Sequence, residues 1–322
     1  MLNYLFRRLN LLLMTALILS IIAFTISLWS SQDPPVQHIN LFMLYLDYMG
    51  NILQGQWGVS LINNKSHLLN GLIAFSSTLE LCLVALLASV IIGIPLGVLA
   101  GIYRNGIIDY AIMSIALIGL ALPAFWLAIM LIMLPITVDL GLPIDGNISP
   151  IYEIPMVTGF QLIDSLLASD LYNLSAFVDR LTHLILPSVV LSFFLTSEII
   201  RLTRHSITQV MKSNYIKAAN AKGLTVIEII FRHVLQNALP PIIPQLRLQL
   251  NTIISLAMTV EIVFAAQGSG VWLLTSIRGG DYLALSAAVI IISGFILLSS
   301  IAIDILQMVI SPTTRKMLYA DK

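Results

Sequence analysis

Charged side chains are scarce in this 322-residue sequence: Asp, Glu, Lys and Arg make up 10% of it, against about 25% in soluble domains. Hydrophobic residues make up 58%, so too few polar residues are present to cover a water-soluble globule. The single cysteine, Cys82, excludes a disulfide framework and a cysteine-based zinc site. The formal net charge is zero, so no basic surface is expected to bind nucleic acid. We therefore expect an integral membrane protein.

Motifs for ATP binding and hydrolytic chemistry are also missing. No Gly-x-x-x-x-Gly-Lys-Ser/Thr phosphate loop occurs, and the glycine-rich segment 268–270 is interpreted as a turn. No His-Glu-x-x-His or Gly-x-Ser-x-Gly motif indicates a peptidase or hydrolase, and the five histidines have no metal-binding spacing. We expect a chain that is not an enzyme, has no catalytic or metal-binding residue and holds no cofactor of its own.

Long apolar runs dominate what is present. A helix needs about 20 mostly apolar residues to cross the hydrocarbon core of a bilayer. An all-α integral membrane fold with six transmembrane helices is predicted, at residues 9–28, 79–100, 111–136, 184–200, 253–266 (extended back toward 246) and 283–303. The first run follows Arg7 and Arg8 but is too long for a cleaved signal sequence, so we expect it to be retained.

The distribution of lysine and arginine predicts how these helices are oriented. With the N-terminus inside, 13 of the 16 basic residues lie in inner segments, and Lys65, Arg180 and Arg278 lie outside. Basic loops stay in the cytoplasm, so both termini are expected there. The outer segments then hold nine acidic residues, which predict an acidic surface where cargo enters or leaves: Asp33, Asp47, Asp139, Asp145, Glu153, Asp164, Asp170, Asp179 and Asp281.

The longest inner segment, residues 201–250, carries the strongest local pattern. Ser213 and Asn214 can cap a short helix over 215–222. Gly223 follows at the position where helices commonly end in a left-handed conformation. The segment is therefore predicted to contain a short helix that ends in a turn.

Thr225 and Glu228 form the pattern of a capping box, which predicts the start of a second helix. The spacing of the apolar residues that follow predicts an amphipathic helix with this buried face: Ile227, Ile230, Phe231, Val234, Leu235 and Ala238. We call residues 213–239 the elbow. By spacing alone, the elbow is equally consistent with a docking site for another protein and with a helical loop between two spans.

Several motifs occur in order along the chain. Within the elbow they are Lys217-Ala218-Ala219, Gly223 and Arg232-His233 followed by Asn237-Ala238-Leu239-Pro240. Elsewhere they are Gly55-Gln56-Trp57-Gly58, Thr78-Leu79-Glu80-Leu81, Gly93-Ile94-Pro95-Leu96-Gly97, Leu122-Pro123-Ala124-Phe125 and Asp304-Ile305-Leu306. Over nearly the whole chain, the succession resembles permease subunits of ABC transporters in the peptide (dipeptide and oligopeptide) branch, most closely those of Sap systems. The elbow resembles that family's EAA loop, with Lys217 where the motif has glutamate.

The resemblance implies a permease like those of type I ABC importers, whose cytoplasmic EAA loop is a coupling helix seated on an ATPase. It divides the chain into an N-terminal helix with its periplasmic loop (1–73), a permease transmembrane domain (74–311) and a cytoplasmic tail (312–322). The implied partners are a second homologous permease subunit, two ABC ATPase subunits that bind ATP and magnesium, membrane lipid and, as an option, a periplasmic substrate-binding protein. The implied location is the bacterial inner membrane.

Carried over by position, the resemblance assigns docking to the elbow. The residues of this ATPase-coupling loop are Lys217, Ala218, Ala219, Lys222, Gly223, Arg232, His233 and Asn237.

Acidic residues in or beside the predicted spans are candidates for the translocation pathway, because a carboxylate in a bilayer is costly. The candidates are Glu261, Glu80 and Asp304. Glu80 and Asp304, together with Glu198, lie near span ends, where the simpler expectation is that they reach water. Glu261 lies deeper and is equally consistent with facing a cavity and with forming a structural pair.

Sap systems are associated with the import of antimicrobial peptides and, in some bacteria, with the export of putrescine. Both cargoes are cationic, which agrees with the acidic outer segments without choosing between them. The predicted function is therefore ATP-driven transport of peptides or of a polyamine. A secondary transporter driven by an ion gradient is the alternative, and a membrane scaffold without transport activity is a third. The secondary transporter leaves the basic elbow unexplained, and for a scaffold or enzyme the sequence offers no catalytic constellation.

Overall fold

The computed structural model describes residues 2–29, 40–60, 64–168 and 173–310, and the elements in those ranges are helices apart from an antiparallel bridge between Val59 and Ser66. The α-helices are α1 (Leu2–Leu28), α2 (Leu41–Leu53), α3 (His67–Ile102), α4 (Ile107–Ala121), α5 (Ala124–Val138), α6 (Gln161–Leu167), α7 (Asn173–Met211), α8 (Asn214–Ala221), α9 (Val226–Ile229), α10 (Leu235–Ala238), α11 (Ile243–Val263), α12 (Ser269–Arg278) and α13 (Tyr282–Ile310). A π-helical turn, Ile230–Val234, joins α9 to α10, and a 3-10 turn, Pro240–Ile242, precedes α11.

Four helices are long and apolar enough to cross a membrane: α1, α3, α7 and α13. The bent pair of α4 and α5 makes a fifth span if the two are counted together. The all-helical membrane fold is therefore confirmed, with four or five spans in the described ranges. The remaining predicted span lies in α11, where Gln249–Val263 is apolar but shorter than a full crossing, and it stays a prediction.

The run at 111–136 was expected to form one long helix, and this is wrong. The axes of α4 and α5 differ by 102° at a break between Ala121 and Ala124. Pro123 lacks an amide hydrogen, and its ring disfavours the helical conformation for Leu122, which is extended with ψ 126°. The bend between α4 and α5 therefore results from the Leu122–Pro123 dipeptide.

The second predicted span is longer in the structure than in the sequence pattern. α3 begins at His67, not at residue 79, and has 36 residues. At 1.5 Å per residue it is about 54 Å long, which exceeds a hydrocarbon core of about 30 Å. Part of α3 therefore projects beyond the apolar layer.

The chain divides into two compact units that alternate along the sequence. The first unit contains Met1–Glu80, Asp145–Leu181 and Ala265–Ser299. The second contains Leu81–Ile144, Thr182–Phe264 and Ser300–Lys322. The sequence-based division after residues 73 and 311 follows the family resemblance, not compactness, and stays a prediction.

The first unit is held by aromatic and polar contacts among α3, α13 and the segment before α3. The rings of Phe75 and Phe295 pack edge to face, with centroids 5.1 Å apart. The carboxylate of Asp281, just before α13, accepts a hydrogen bond from Ser60 Oγ at 3.1 Å and lies 3.3 Å from His67 Nε2. The side chains of all three polar residues are buried, so these contacts fix the start of α3 beside the start of α13.

In the second unit, glycines spaced four residues apart let α3 and α7 pack closely. A Cβ atom at Gly97 would lie only 2.5 Å from the Thr203 Cβ, and one at Gly93 or Gly101 would be similarly crowded. The pairs that meet are Gly93–Ile199, Gly97–Thr203 and Gly101–Ile207. Lipid chains are as apolar as leucine, so helices in a bilayer associate through such close packing of small residues.

The close contact of Gly93, Gly97 and Gly101 with α7, which we call the glycine seam, gives a stability prediction. Gly97→Ala should lower the free energy of unfolding by about 1–3 kcal/mol, because the added methyl overpacks the α3–α7 contact. Gly294→Ala is the matched control in another span, since a Cβ there meets nothing within 4 Å. Thermal unfolding in detergent, followed by maleimide labelling of the buried Cys82 thiol, measures both. Equal unfolding temperatures for the two variants would contradict the close contact.

Candidate functional site

The first arm of the elbow has the predicted secondary structure. α8 spans Asn214–Ala221, one residue from the predicted bounds. Gly223 then adopts a left-handed conformation with φ +80°. A Cβ at Gly223 would meet nothing within 4 Å, so glycine is favoured there by the backbone conformation and not by lack of space.

The capping box at the start of the second arm is also confirmed. Glu228 Oε2 accepts hydrogen bonds from the Thr225 amide and hydroxyl at 2.8 Å each, and the Glu228 amide donates to Thr225 Oγ1 at 3.3 Å. The bonds from Thr225, aided by the charge of Arg232, lower the pKa of the Glu228 carboxyl. Because the folded-state pKa is depressed, this stabilisation is present at neutral pH and is lost as the pH falls through the folded-state pKa.

The buried face of the second arm differs from the prediction because of the π-helical turn. The Leu235 amide donates to the Ile230 carbonyl, five residues back, which shifts the phase of the helix by about one residue. Ile229 and Val234 are therefore both buried, although they are five residues apart. Ile227 and Phe231, predicted to be buried, are 69% and 68% exposed. Regular helical spacing therefore placed Val234 and Ala238 correctly on the buried face and Ile227 and Phe231 wrongly.

Both arms of the elbow pack on the end of α7. A buried apolar cluster joins them: Ile207, Ile216, Ala219, Ile229, Val234 and Ala238. Ser206 Oγ also donates to the Ala238 carbonyl at 2.6 Å. The elbow is thus a packed element of the second unit and not a loosely tethered loop.

The residues assigned to docking divide into an exposed and a buried group. Ala219 is 7% exposed and belongs to the apolar cluster, and His233 is half-buried. The Asn237 side-chain amide donates to the His233 carbonyl at 2.7 Å. The exposed members are Lys217, Ala218, Lys222, Gly223, Arg232 and Asn237. Together with Ile227 and Phe231, they form what we call the elbow surface.

Sequence reasoning missed a charged clamp beside the elbow. Arg204 on α7 donates from Nη2 to Asp109 Oδ2 at 2.7 Å and from Nε to Oδ1 at 2.5 Å. The Asn105 amide donates to the same carboxylate at 2.8 Å, and Asp109 is 1% exposed. The clamp joins the first turn of α4 to α7 just before the elbow. The two residues are 95 positions apart, and no local pattern links them.

Glu80 was expected to reach water near a span end, and this is wrong. It is 3% exposed and accepts hydrogen bonds from Arg180 Nε at 2.9 Å, from Arg180 Nη2, and from the Leu162 amide at 2.6 Å. Arg180 Nη1 donates to the Asn147 carbonyl at 2.8 Å. A buried carboxylate is stable only when its charge and lone pairs are met in this way. The geometry supports a structural role in the first unit.

The other acids near the spans have different surroundings. Glu198 is partly exposed and pairs with the exposed Arg201 one turn along α7, and the expectation that it reaches water stays a prediction. Asp304 is 9% exposed, so the same expectation is wrong for it. Glu261 is 1% exposed, as its depth in the span indicated. The assignment of Glu261 and Asp304 to the translocation pathway stays a prediction.

The acidic outer surface is smaller than the sequence count indicates. Burial alone would raise the pKa of Asp164, but hydrogen bonds from Thr158, Gly159 and Val157 outweigh it and lower the pKa. These bonds, such as 2.7 Å from the Thr158 amide, show that Asp164 organises a turn. Asp281 is likewise buried and bonded.

Among the described residues of the predicted outer segments, four acids and two bases are exposed. The acids are Asp47, Asp139, Asp145 and Glu153, and the bases are Lys65 and Arg278. Asp179 accepts two hydrogen bonds from Ser149 at 2.7 Å each. Asp33 and Asp170 lie outside the described residues. An acidic excess therefore remains on the described outer surface.

Comparison with known proteins places these features in context. A family described as binding-protein-dependent transport system inner membrane component matches residues 93–316. The chain is 37% identical over 321 residues to the putrescine export system permease protein SapB of Escherichia coli K12, with 99% of each chain covered. It is 38% identical, with the same coverage, to the peptide transport system permease protein SapB of Salmonella typhimurium LT2. It is 31% identical over 340 residues to the dipeptide transport system permease protein DppB of E. coli K12, covering 98% and 99% of the two chains.

The fold resembles that of a solved transporter. An inward-facing structure of the MetNI methionine ABC transporter aligns with a TM-score of 0.53 and 17% identity. The alignment covers 82% of this chain and 98% of that chain. At this identity the likeness concerns the fold alone.

The buried ion pair predicts a large asymmetry between two arginine substitutions. Arg180→Met should lower the free energy of unfolding by about 3–5 kcal/mol, because it leaves the Glu80 charge buried without its partner. Arg201→Met removes the matched, exposed partner of Glu198 and should change it by about 0–1 kcal/mol. Thermal unfolding followed by tryptophan fluorescence measures both. An Arg180→Met variant that is as stable as the parent but inactive in transport would instead place Glu80 in the pathway.

Proposed function

The chain belongs to the family of binding-protein-dependent transport system inner membrane components, and on this premise we propose that it forms half of the transmembrane pathway of an ATP-driven transporter. A second, homologous permease subunit supplies the other half, since four to six helices enclose only part of a pathway. Two ATPase subunits bind ATP and magnesium, which this chain has no phosphate loop to hold. A periplasmic substrate-binding protein is an optional fourth component.

The elbow surface carries this proposal. Ile227 and Phe231 are large apolar residues, 69% and 68% exposed on a helical element whose other side packs on α7. Exposed aromatic and aliphatic side chains with basic neighbours are typical of a protein-docking surface. We propose that the ATPase subunit covers them and that its movement is transmitted through the buried cluster to α7.

The orientation and driving force follow from the same proposal. Docking of a cytoplasmic ATPase requires the elbow to lie inside, in agreement with the basic residues and with cytoplasmic termini. Family membership argues against the alternative of an ion-gradient-driven secondary transporter. Glu80 is also hydrogen-bonded to Arg180, so it is not available as one of the acids of an ion or proton relay.

Phe231→Asp tests the docking surface. The substitution should weaken ATPase binding by about 2 kcal/mol or more, roughly 30-fold, because it places a charge in a desolvated contact. Copurification of the ATPase subunit and ATP-driven uptake into proteoliposomes measure the effect. Val157→Asp is the matched control, since Val157 is 71% exposed on the outer side. Normal copurification of the Phe231→Asp variant would remove the ATPase from this surface.

The bend at Gly223 offers a second variant of the same experiment. Gly223→Val should uncouple ATP hydrolysis from transport, because a β-branched residue is strained at φ +80°. Gly223→Asn should retain coupling, because asparagine tolerates this conformation. Equal activity of the two variants would show that the bend is not required.

The cargo is proposed to be cationic, either peptides or a polyamine such as putrescine. The observation in support is the excess of exposed outer acids, Asp139, Asp145 and Glu153 among them. Fixed charges of one sign at an entrance raise the local concentration of oppositely charged solutes.

The triple substitution Asp139→Asn, Asp145→Asn and Glu153→Gln tests cargo charge. It should reduce transport of a lysine-containing peptide and of putrescine relative to a neutral peptide of equal length, with a smaller effect at high salt because of screening. The triple substitution Asp139→Glu, Asp145→Glu and Glu153→Asp keeps the charges and serves as the control. Asp164 is left intact because it organises a turn. An equal reduction for charged and neutral cargo would contradict electrostatic selection.

A further inference from the structure

α2, in the first unit, has an exposed face that the proposed function does not use. None of its residues is buried within the chain. Successive residues of an α-helix are rotated by about 100°, which sorts the side chains of α2 into three stripes. Tyr45, Tyr48 and Ile52 form the half-buried stripe that faces the rest of the first unit.

The two remaining stripes are exposed and differ in polarity. Phe42, Leu46 and Leu53 form an apolar stripe and are 63%, 47% and 82% exposed. Asp47 and Asn51 form a polar stripe on the far side of it and are both exposed, and Met43, 59% exposed, lies at the border between the two stripes. A helix with an apolar stripe beside a polar one is typical of helices that lie in a membrane interface.

Contacts with α1 place α2 at the depth of the hydrocarbon. The Tyr45 hydroxyl bonds Ser20 Oγ at 2.7 Å, and the rings of Tyr45 and Tyr48 each lie 5.5 Å from the ring of Phe24. The apolar span of α1 runs from Asn10 to Leu28. At 1.5 Å per residue, Phe24 lies about 6 Å and Ser20 about 12 Å inside its end at Leu28.

An aromatic contact between the ends of α1 and α13 marks the boundary of the hydrocarbon. Trp29 and Tyr282, at the ends of α1 and α13, pack edge to face with centroids 6.0 Å apart. Aromatic residues of this kind mark the boundary between headgroups and acyl chains. α2, whose Tyr45 and Tyr48 rings pack on Phe24 of α1, therefore lies below this aromatic boundary.

We propose that α2 is an interfacial helix in the outer leaflet, with Phe42, Leu46 and Leu53 packed on lipid acyl chains. Asp47 and Asn51 then point toward headgroups and water. α2 has no lysine or arginine, so burial of apolar area, and not attraction to anionic lipid, holds it in place. The outer leaflet is the one at the Leu28 end of α1 in the orientation proposed above. This docking ties the outer segment before α3 to the bilayer surface.

Paired spin labels test this placement. In a Cys82→Ala background, Leu46→Cys and Asn51→Cys are labelled with a nitroxide, and the full chain with its co-expressed partner subunits is placed in phosphatidylethanolamine and phosphatidylglycerol nanodiscs. Collision rates are measured with oxygen, which concentrates in hydrocarbon, and with a water-soluble nickel complex. Oxygen should dominate at Leu46→Cys and nickel at Asn51→Cys. Ile18→Cys, exposed within the α1 span, and Val157→Cys, on the outer surface, are the references.

Two results would overturn the proposal. Dominance of nickel at Leu46→Cys would place the apolar stripe in water. Shielding of that label from both reagents would show that another protein subunit covers it. Neither reading depends on ATP, so ATP-driven transport measured on the same labelled samples separates a failure of this proposal from a failure of the proposed function. Replacing phosphatidylglycerol by phosphatidylcholine should leave the Leu46→Cys reading unchanged, and a loss of the oxygen preference there would contradict anchoring by apolar burial.

Discussion

A bilayer supplies no water to satisfy a polar group, and the rest of this structure depends on that constraint. Backbone amides and carbonyls are paired within helices, which is why the described ranges contain helices and a single isolated bridge. Two buried carboxylates obey the same rule. Glu80 and Asp109 each meet an arginine side chain and a backbone amide, so that their charge and their lone pairs are both satisfied.

One short stretch of α7 connects the seam, the clamp and the elbow in the second unit. Thr203 and Ile207 face the glycines of α3, Arg204 holds Asp109 of α4, and Ser206 bonds the Ala238 carbonyl of the elbow. Ile207 belongs both to the glycine seam and to the cluster beneath the elbow. A force applied to the elbow surface would therefore reach α3 and α4 through packed side chains and not through a flexible linker.

Charge counts from sequence overstate what is available at a surface. Asp164 and Asp281 counted toward the acidic outer segments, yet each is buried and used to hold a turn or the start of a helix. Arg180 counted as an outer base, yet its side chain is buried in an ion pair with Glu80. The acidic character that remains comes from residues such as Asp145 and Glu153, whose side chains are exposed.

Features that depend on neighbouring residues could be predicted from the amino-acid sequence: the apolar helices, the left-handed turn at Gly223 and the capping box of Thr225 and Glu228. These follow from hydropathy, backbone conformation and hydrogen bonds within a few residues. The fold was needed to show that Ile227 and Phe231 leave the buried face of the elbow, because a π-helical turn shifts the phase of the helix. The pairing of Glu80 with Arg180 was also visible only in the fold. The two residues lie 100 positions apart, and contacts between distant segments leave no local pattern.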